Sequence, residues 1–454
     1  MNSSSSDLPL RYTDLLSEGD LNTSPNRRDW QNRTLSPGTR ALLEEDTRYF
    51  LRQGLSSPCL NVVDEVDGIW LVDADGRRYM DFHGNWVHQA GYGHPKIVRA
   101  ITEQLQHLSF SPRRYTNRTA IELARRLTGL APGDLNKVLF APGGSLAIGM
   151  ALKLARMATG RHKTISMWDS FHGASLDAIS IGGEAMFRKG AGPLLPGTEH
   201  APPPSPRGCP FKCDRECSLA CADYIEYMLE KEGDVGAVVA ETVRSIPYIP
   251  PKAYWKKVRA ACDRHGALLI LDEIPHAFGR TGTMFTVEHY DIVPDILILG
   301  KGLGGGIMPL AAIVARSHLD DVAPERALGH YTHEKSPLAA AAALAMLDVI
   351  EEDDLLARAA RLGRAARAYL ESKAATRDHI RDVRGLGLLI GVELEHSDMA
   401  DRAMYHALDL GLSFKVTMGN VMLLLPPLNI EENDLYRALD IAIEASDRAA
   451  ASTS

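Results

Sequence analysis

Two side chains in this sequence have the type and setting for carbonyl chemistry. Asp272 closes the run Leu268-Leu269-Ile270-Leu271-Asp272, and Lys301 stands among glycines in Gly300-Lys301-Gly302-Leu303-Gly304-Gly305-Gly306. A lysine with glycine on either side can reach a planar aldehyde, bond to it through nitrogen and later swing aside, because no neighbouring side chain obstructs it. A buried carboxylate suits a pyridine nitrogen, since it keeps that nitrogen protonated and strengthens the ring as an electron sink. Taken alone, Lys301 reads as a solvated lysine in a glycine-rich turn. The pair at this spacing reads as a site.

Such groups need rigid supports. The runs Leu268–Leu271 and Pro294–Leu299 are short, apolar and bounded by turn residues, the pattern of parallel strands covered on both faces. In open α/β sheets chemistry gathers at the carboxyl ends of strands, so Asp272 and Lys301 can face one crevice. Upstream, Lys137–Phe140 reads as a strand, followed by Ala141-Pro142-Gly143-Gly144-Ser145 and an amphipathic helix ending near Arg156. A glycine turn feeding a helix offers unpaired N–H groups and the positive end of the dipole to a phosphate, although alone it is an ordinary strand-to-helix turn. Val235–Glu241 is a further strand. Residues 39–51 and 121–127 have helical spacing, Gly93-His94-Pro95 opens a helix, and the β-rich runs around Asp75-Gly76 form a hairpin. Asp382–Leu394 and Val421–Leu428 are strand-like, each with a helix after it.

With 454 residues the chain is long enough for two or three domains. Its net charge of -8 argues against a nucleic-acid surface, and no apolar run is of membrane-spanning length. The Ser-rich start has no basic or apolar segment of a secretory leader, so the expected location is cytoplasmic. Residues 1–25 read as a disordered tail, residues 26–83 as an N-terminal segment packing with a small domain, residues 84–335 as the large domain, and residues 336–454 as the small C-terminal domain.

Residues 183–222 form a proline-rich excursion holding Cys209, Cys213, Cys217 and Cys221. Even four-residue spacing lacks the paired CxxC hooks of zinc sites, and a helix after Pro210 would line the thiols along one face. No metal is expected; zinc or a redox role stays a minor alternative to a packed stripe or an adventitious cluster.

The stretch Asp272-Glu273-Ile274, Phe278-Gly279-Arg280-Thr281-Gly282, Pro294-Asp295 and Gly300–Gly306 resembles the class III aminotransferases over roughly residues 40–440. The resemblance implies a fold type I α/β enzyme, with a large, mostly parallel sheet domain, a smaller α+β C-terminal domain and pyridoxal 5'-phosphate as cofactor. It implies Lys301 as the cofactor-bonding lysine, Asp272 at the ring nitrogen, and Gly144 and Ser145 at the phosphate. Phe171 in Trp168-Asp169-Ser170-Phe171-His172-Gly173 would stack on the ring, with His172 beside it, and Glu241 would lie near the substrate. Thr332 would reach the phosphate in a neighbouring subunit, which implies a homodimer with sites at its interface.

Four departures from the family pattern bear on the reaction. The phosphate turn continues Leu146-Ala147-Ile148-Gly149, without the usual acids. Pro275 stands where a glutamine usually bonds near the cofactor's phenolic oxygen, and His276 follows. The threonine loop continues His333-Glu334-Lys335-Ser336-Pro337. Leu423 occupies the place of an arginine that grips a substrate carboxylate. Candidate replacements are Arg113 and Arg114, best placed to grip a dianion, then Arg244, Lys335 and Lys415. The whole pattern is similar to an ammonia-lyase branch acting on 1-hydroxy-2-aminoethylphosphonate, which implies elimination from a small amine substrate. An ω-aminotransferase using a keto acid is the close alternative, a phospholyase on an amino-alcohol phosphate a third. A catalytically inactive scaffold fits poorly with Asp272, Lys301 and Thr332 all present.

Overall fold

The computed structural model describes residues 24–53, 58–205, 209–213, 217–322 and 324–452. Residues 1–23, most of the tail expected to be disordered, lie outside them. The first helices, α1 (Pro25–Thr34) and α2 (Pro37–Tyr49), share one start signal. In each a serine caps the free amides while proline occupies the first helical position, where its missing N–H costs nothing. The spacing at 39–51 is thus realised two residues earlier. Next come β1 (Val63–Asp67), β2 (Trp70–Asp73) and β3 (Arg78–Asp81), an antiparallel meander that turns at Gly76 with φ 78°. The hairpin expected around Asp75-Gly76 is therefore present.

The unit Pro95–Leu356 begins with α3 (Pro95–His107) and α4 (Arg118–Leu130) and is built on seven strands. These are β4 (Leu135–Ala141), β5 (Lys163–Met167), β6 (Thr198–Ala201), β7 (Val235–Glu241), β8 (Leu268–Asp272), β9 (Ile296–Leu299) and β10 (Ala311–Arg316). Their spatial order is β4-β10-β9-β8-β7-β5-β6. Every neighbouring pair is parallel except those made by β10, which runs antiparallel to both β4 and β9. The continuous apolar runs of β7, β8 and β9 are buried almost throughout, as two-sided coverage requires. A core of Ile270, Ile296, Ile298 and Ile313 packs beneath α5 (Gly144–Thr159), whose Ala147, Ile148, Ala151 and Leu154 complete it. The glycine-initiated helix predicted after Ala141 is α5.

The helix Pro337–Glu352 (α6) packs on α3 and α4, so its long apolar face is buried within this unit. That places it outside the C-terminal domain, whose expected boundary was residue 336. The second compact unit combines the N-terminal segment through His94 with the chain from Ala357 onward. It therefore also takes Gly84–Trp86, which the domain boundary at 84 assigns to the large domain. Its elements after α7 (Leu355–Ala374) are β11 (Ile380–Leu386), β12 (Leu389–Leu394), α8 (Ser397–Asp409), β13 (Leu412–Ser413), β14 (Lys415–Thr417), β15 (Val421–Leu424) and α9 (Glu432–Ala451). The run at 382–394 is thus two strands, since Gly387 at φ 57° turns the chain back on itself. β11-β12-β15-β14 form an antiparallel sheet, and β13 pairs in parallel with β3 through Leu412 and Met80.

A glycine in mid-helix normally costs about 1 kcal/mol relative to alanine. At Gly363 in α7 the sign should reverse, because a Cβ there would stand 1.9 Å from the Gly387 carbonyl oxygen. Gly363→Ala is expected to lower stability by about 1–3 kcal/mol through overpacking against backbone that cannot yield. Urea unfolding checks this; a gain in stability would show that the two backbones are not in contact.

Candidate active site

The carboxyl ends of β4, β5, β7, β8 and β9 lead to Gly144, Phe171, Glu241, Asp272 and Lys301 respectively. The antiparallel β10 reverses direction twice between β4 and β9, so all five ends open on one side of the sheet. Ile274, two residues beyond β8, sets the spacing among three of these segments. A Cβ on Gly144 would come within 2.9 Å of Ile274 Cδ1, and one on Gly300 within 3.1 Å of its Cγ2. The N-terminus of α5 and the chain entering Lys301 thus close on one isoleucine side chain, and each does so at a glycine. A Cβ on Gly173 would meet Ser145 Oγ at 2.1 Å, and Gly173 has φ 125°, so the loop carrying Phe171 and His172 also rests against the start of α5.

This cradle fits a planar ring bearing a phosphate. The first amides of a sixteen-residue helix have no helical acceptors and point outward, with the Ser145 hydroxyl beside them. Asp272 is 1% exposed, and both its oxygens are engaged. Oδ1 accepts the Ile274 amide at 3.0 Å and Oδ2 accepts His172 Nδ1–H at 2.8 Å. His172 accordingly holds the carboxylate. Its Nε2 is buried without a hydrogen-bond partner among the described residues, which leaves a polar atom for a ligand to satisfy. Lys301 opens a 3₁₀ turn after β9 with φ 47°, a strained geometry for a side chain with a Cβ and one that recurs at functional positions.

Glu241 ends β7 directly beside Asp272 in the parallel register. Burial opposes its charge, but the Arg244 guanidinium, His172, the Ser245 amide and His276 outweigh that, holding the carboxyl at about 2. Arg244 is raised above its ordinary value: burial opposes its charge, while Glu241, Glu184 and Asp169 favour it. The cation expected to be open to substrate is thus enclosed by acids. His276 is 1% exposed and its Nδ1 lies 3.0 Å from Thr286 Oγ1. Burial drives its pKa down to about 4, although Glu241 and Asp272 pull upward, so the ring is neutral near pH 7.

Gly144, Ser145, Phe171, His172, Glu241, Asp272 and Lys301 therefore stand on neighbouring strand ends and loops. Arg113 and Arg114 are exposed in a turn, and Thr332 is exposed in another at 332–335. Leu423 is a buried strand residue of the second unit, 1% exposed. The helix that would have lined up the four thiols is absent among the described residues: Cys221 lies in the helix Ala220–Glu232, while Cys209, Cys213 and Cys217 precede it outside any helix. No group of three or more His, Cys, Asp or Glu among the described residues is placed to hold a metal. No helix among the described residues is long and apolar enough to cross a membrane. Sequence reasoning missed Gly173 and Ile274 as parts of the cradle. Their signal was present: a glycine directly after His172, and a bulky residue between two glycine-bearing turns.

A family model described as aminotransferase class-III matches residues 53–445. Among curated proteins, the chain is 48% identical over 456 residues to the (R)-1-hydroxy-2-aminoethylphosphonate ammonia-lyase of Vibrio splendidus (strain 12B01), covering 95% of each chain. It is 36% identical to the leucine/methionine racemase of Thermococcus litoralis, covering 85% of this chain and 89% of the racemase. Among solved structures, a transaminase from the marine bacterium Virgibacillus superposes with a TM-score of 0.84 at 26% identity, over 91% of this chain and all of that one.

The depressed His276 imidazole has a consequence for acid stability. Because its folded pKa lies below the unfolded value of about 6.5, its neutral burial contributes fully above pH 6.5 and is lost as pH falls toward 4. The loss should be on the order of 3 kcal/mol for a shift of this size. His276→Phe should flatten the decline of Tm between pH 6.5 and 4. Parallel Tm profiles for variant and wild type would show that the imidazole is not buried neutral.

Proposed function

Since the chain belongs to the class III aminotransferase family, enzymes that use pyridoxal 5'-phosphate, we propose that it is an ammonia-lyase for a small hydroxylated aminophosphonate. Its reaction would convert 1-hydroxy-2-aminoethylphosphonate to phosphonoacetaldehyde and ammonia. The observation that carries this reading is the near full-length similarity to the Vibrio ammonia-lyase. Family membership alone would not decide it, because the same fold hosts aminotransferases and a racemase.

The cofactor, when bound, holds the substrate amine and draws electron density from the carbon beside it. The chain's own groups do the rest. The start of α5, with Gly144 and Ser145, would hold the phosphate. Phe171 would stack on the ring, and Asp272, steadied by His172 and the Ile274 amide, would keep the ring nitrogen protonated. Lys301 Nζ takes the proton from the carbon bearing the amine. Hydroxide leaves the adjacent carbon and departs as water with that proton, the same carbon then takes up a proton from solvent, and a second water puts oxygen on the carbon that carried nitrogen as ammonia is released. Ammonia and the aldehyde are the net products, and no second substrate is required. The departure at position 423 accords with this, because leucine stands where the family pattern has an arginine and offers no clamp for the carboxylate of a keto acid.

A homodimer belongs to the same reading. Thr332, Arg113 and Arg114 are exposed in a single chain and would serve the site of a second copy, the arginines gripping the phosphonate dianion. A cytoplasmic location accords with cysteines that are free thiols.

The test supplies cofactor-loaded enzyme with 1-hydroxy-2-aminoethylphosphonate and no keto acid. Ammonia and aldehyde should accumulate through many turnovers without inorganic phosphate. A single turnover that pyruvate rescues would make it an ω-aminotransferase instead, and phosphate release from an amino-alcohol phosphate would make it a phospholyase. Lys301→Ala should lose the visible absorbance of the lysine-bound cofactor and lower kcat by about 10²–10⁴-fold. Persistence of that absorbance would remove Lys301 from its role.

A further inference from the structure

Arg244 occupies a place where a substrate anion could be gripped, yet its guanidinium has other work. Nη1 contacts Glu241 Oε1 at 2.5 Å, Nη2 lies 3.6 Å from Glu184 Oε2, and the side chain is only 10% exposed. Its backbone amide is tied to the Tyr248 carbonyl at 3.1 Å, so the loop beneath it is pinned. An incoming anion would have to displace two acids that already share the cation.

Both acids lead to one loop. Glu241 Oε1 also accepts the Phe171 amide at 3.3 Å, while Oε2 accepts the Ser245 amide at 2.9 Å. From the other side, the amides of Gly183 and Glu184 donate to the Ser170 carbonyl at 3.0 and 3.1 Å. Phe187, three residues on, lays its ring 4.4 Å from that of Phe171. A Cβ on Gly183 would strike the Met167 carbonyl oxygen at 2.1 Å, so only glycine permits this approach. The segment carrying Phe171 is thus held from two directions by residues that meet at a single guanidinium.

We propose that Arg244 is a positioning residue: through Glu241 and Glu184 it fixes where Phe171 stands, and with it the plane on which the cofactor ring lies. This rests on the reading of Phe171 as the ring-stacking residue. A planar fork can bridge two carboxylates in a way that the point charge of lysine cannot. Removing either partner would leave a buried charge uncompensated, whereas removing both would not.

The test compares holoenzymes of the wild type, Arg244→Gln, Arg244→Lys, Glu241→Gln and the Gln/Gln double variant. The readouts are the visible circular dichroism per bound cofactor and the steady-state parameters for the aminophosphonate. Arg244→Gln and Glu241→Gln should each weaken the dichroic band at least about twofold and lower kcat about tenfold or more, with KM within about threefold. Arg244→Lys should fall between, and the double variant should lose less than the two singles combined. If Arg244→Gln does not fold, Glu241→Gln and Arg244→Lys carry the same comparison. An unchanged band with KM raised about tenfold or more would make Arg244 a substrate ligand and overturn the proposal. An unchanged band with unchanged kinetics would overturn it equally. A wild-type holoenzyme showing bound cofactor but no dichroic band would overturn the stacking role of Phe171, and the proposal with it.

Discussion

Ile274 is the point on which this site turns. A short aliphatic side chain just beyond β8 is approached by the first residue of α5 and by the residue before Lys301, each so closely that a Cβ there would press on it, at 2.9 and 3.1 Å. Apolar contact supplies the attraction, and the absence of Cβ atoms lets two backbones close on the same side chain. The turn at Gly144, Asp272 and Lys301 are thereby spaced by packing rather than by polar bonds. Polar bonds then fix orientation: His172 and a backbone amide hold Asp272, and Arg244 with two amides holds Glu241. Position is set by contacts of low polarity, direction by hydrogen bonds, a division that suits a site needing both a tight fit and fixed charges.

Much of this was legible in the sequence because strong local signals agreed with one another. The apolar runs at Leu268–Leu271 and Ile296–Leu299 could only be strands buried on both faces, and each delivers its functional residue at the end where a parallel sheet places chemistry. The glycine turn at 143–144 preceded a helix with a clear apolar face. What escaped depends on contacts between residues far apart in the chain. Periodicity could not show that Gly173 touches Ser145, or that Glu184 reaches Arg244, because each pair joins different loops. The helix from Pro337 was read with the wrong unit for a similar reason. Its composition gives a long apolar face but cannot say which surface that face covers, and α3 and α4 are what it covers.

The chemistry of the reaction is set as much by what is neutralised as by what is charged. Arg244 shares its charge with Glu241 and Glu184, His276 is held neutral by burial, and Leu423 brings no charge to its place in the sheet. A pocket that hosts both an amino donor and an oxo-acid acceptor needs an accessible cation for the second carboxylate. An elimination that begins and ends on one substrate does not, and it tolerates interior cations turned to internal support.

The antiparallel strand β10 also bears on how the molecule assembles. It lies between β4 and β9, so β4 cannot be joined to the rest of the sheet until the chain through Arg316 exists. During synthesis β5 through β9 can pair in parallel while β4 waits unpaired at the margin, although the helix that begins at Gly144 already has β7, β8 and β9 to pack on. In the finished sheet β4 remains an outer strand, its Lys137 salt-bridged to Asp320 at 2.8 Å just beyond β10. Long-range closure of this kind is slow and leaves an exposed strand edge in the interim. β4 is therefore among the last strands to be locked in place, so a nascent or partly refolded chain would carry an open strand edge until Ala311–Arg316 has been made.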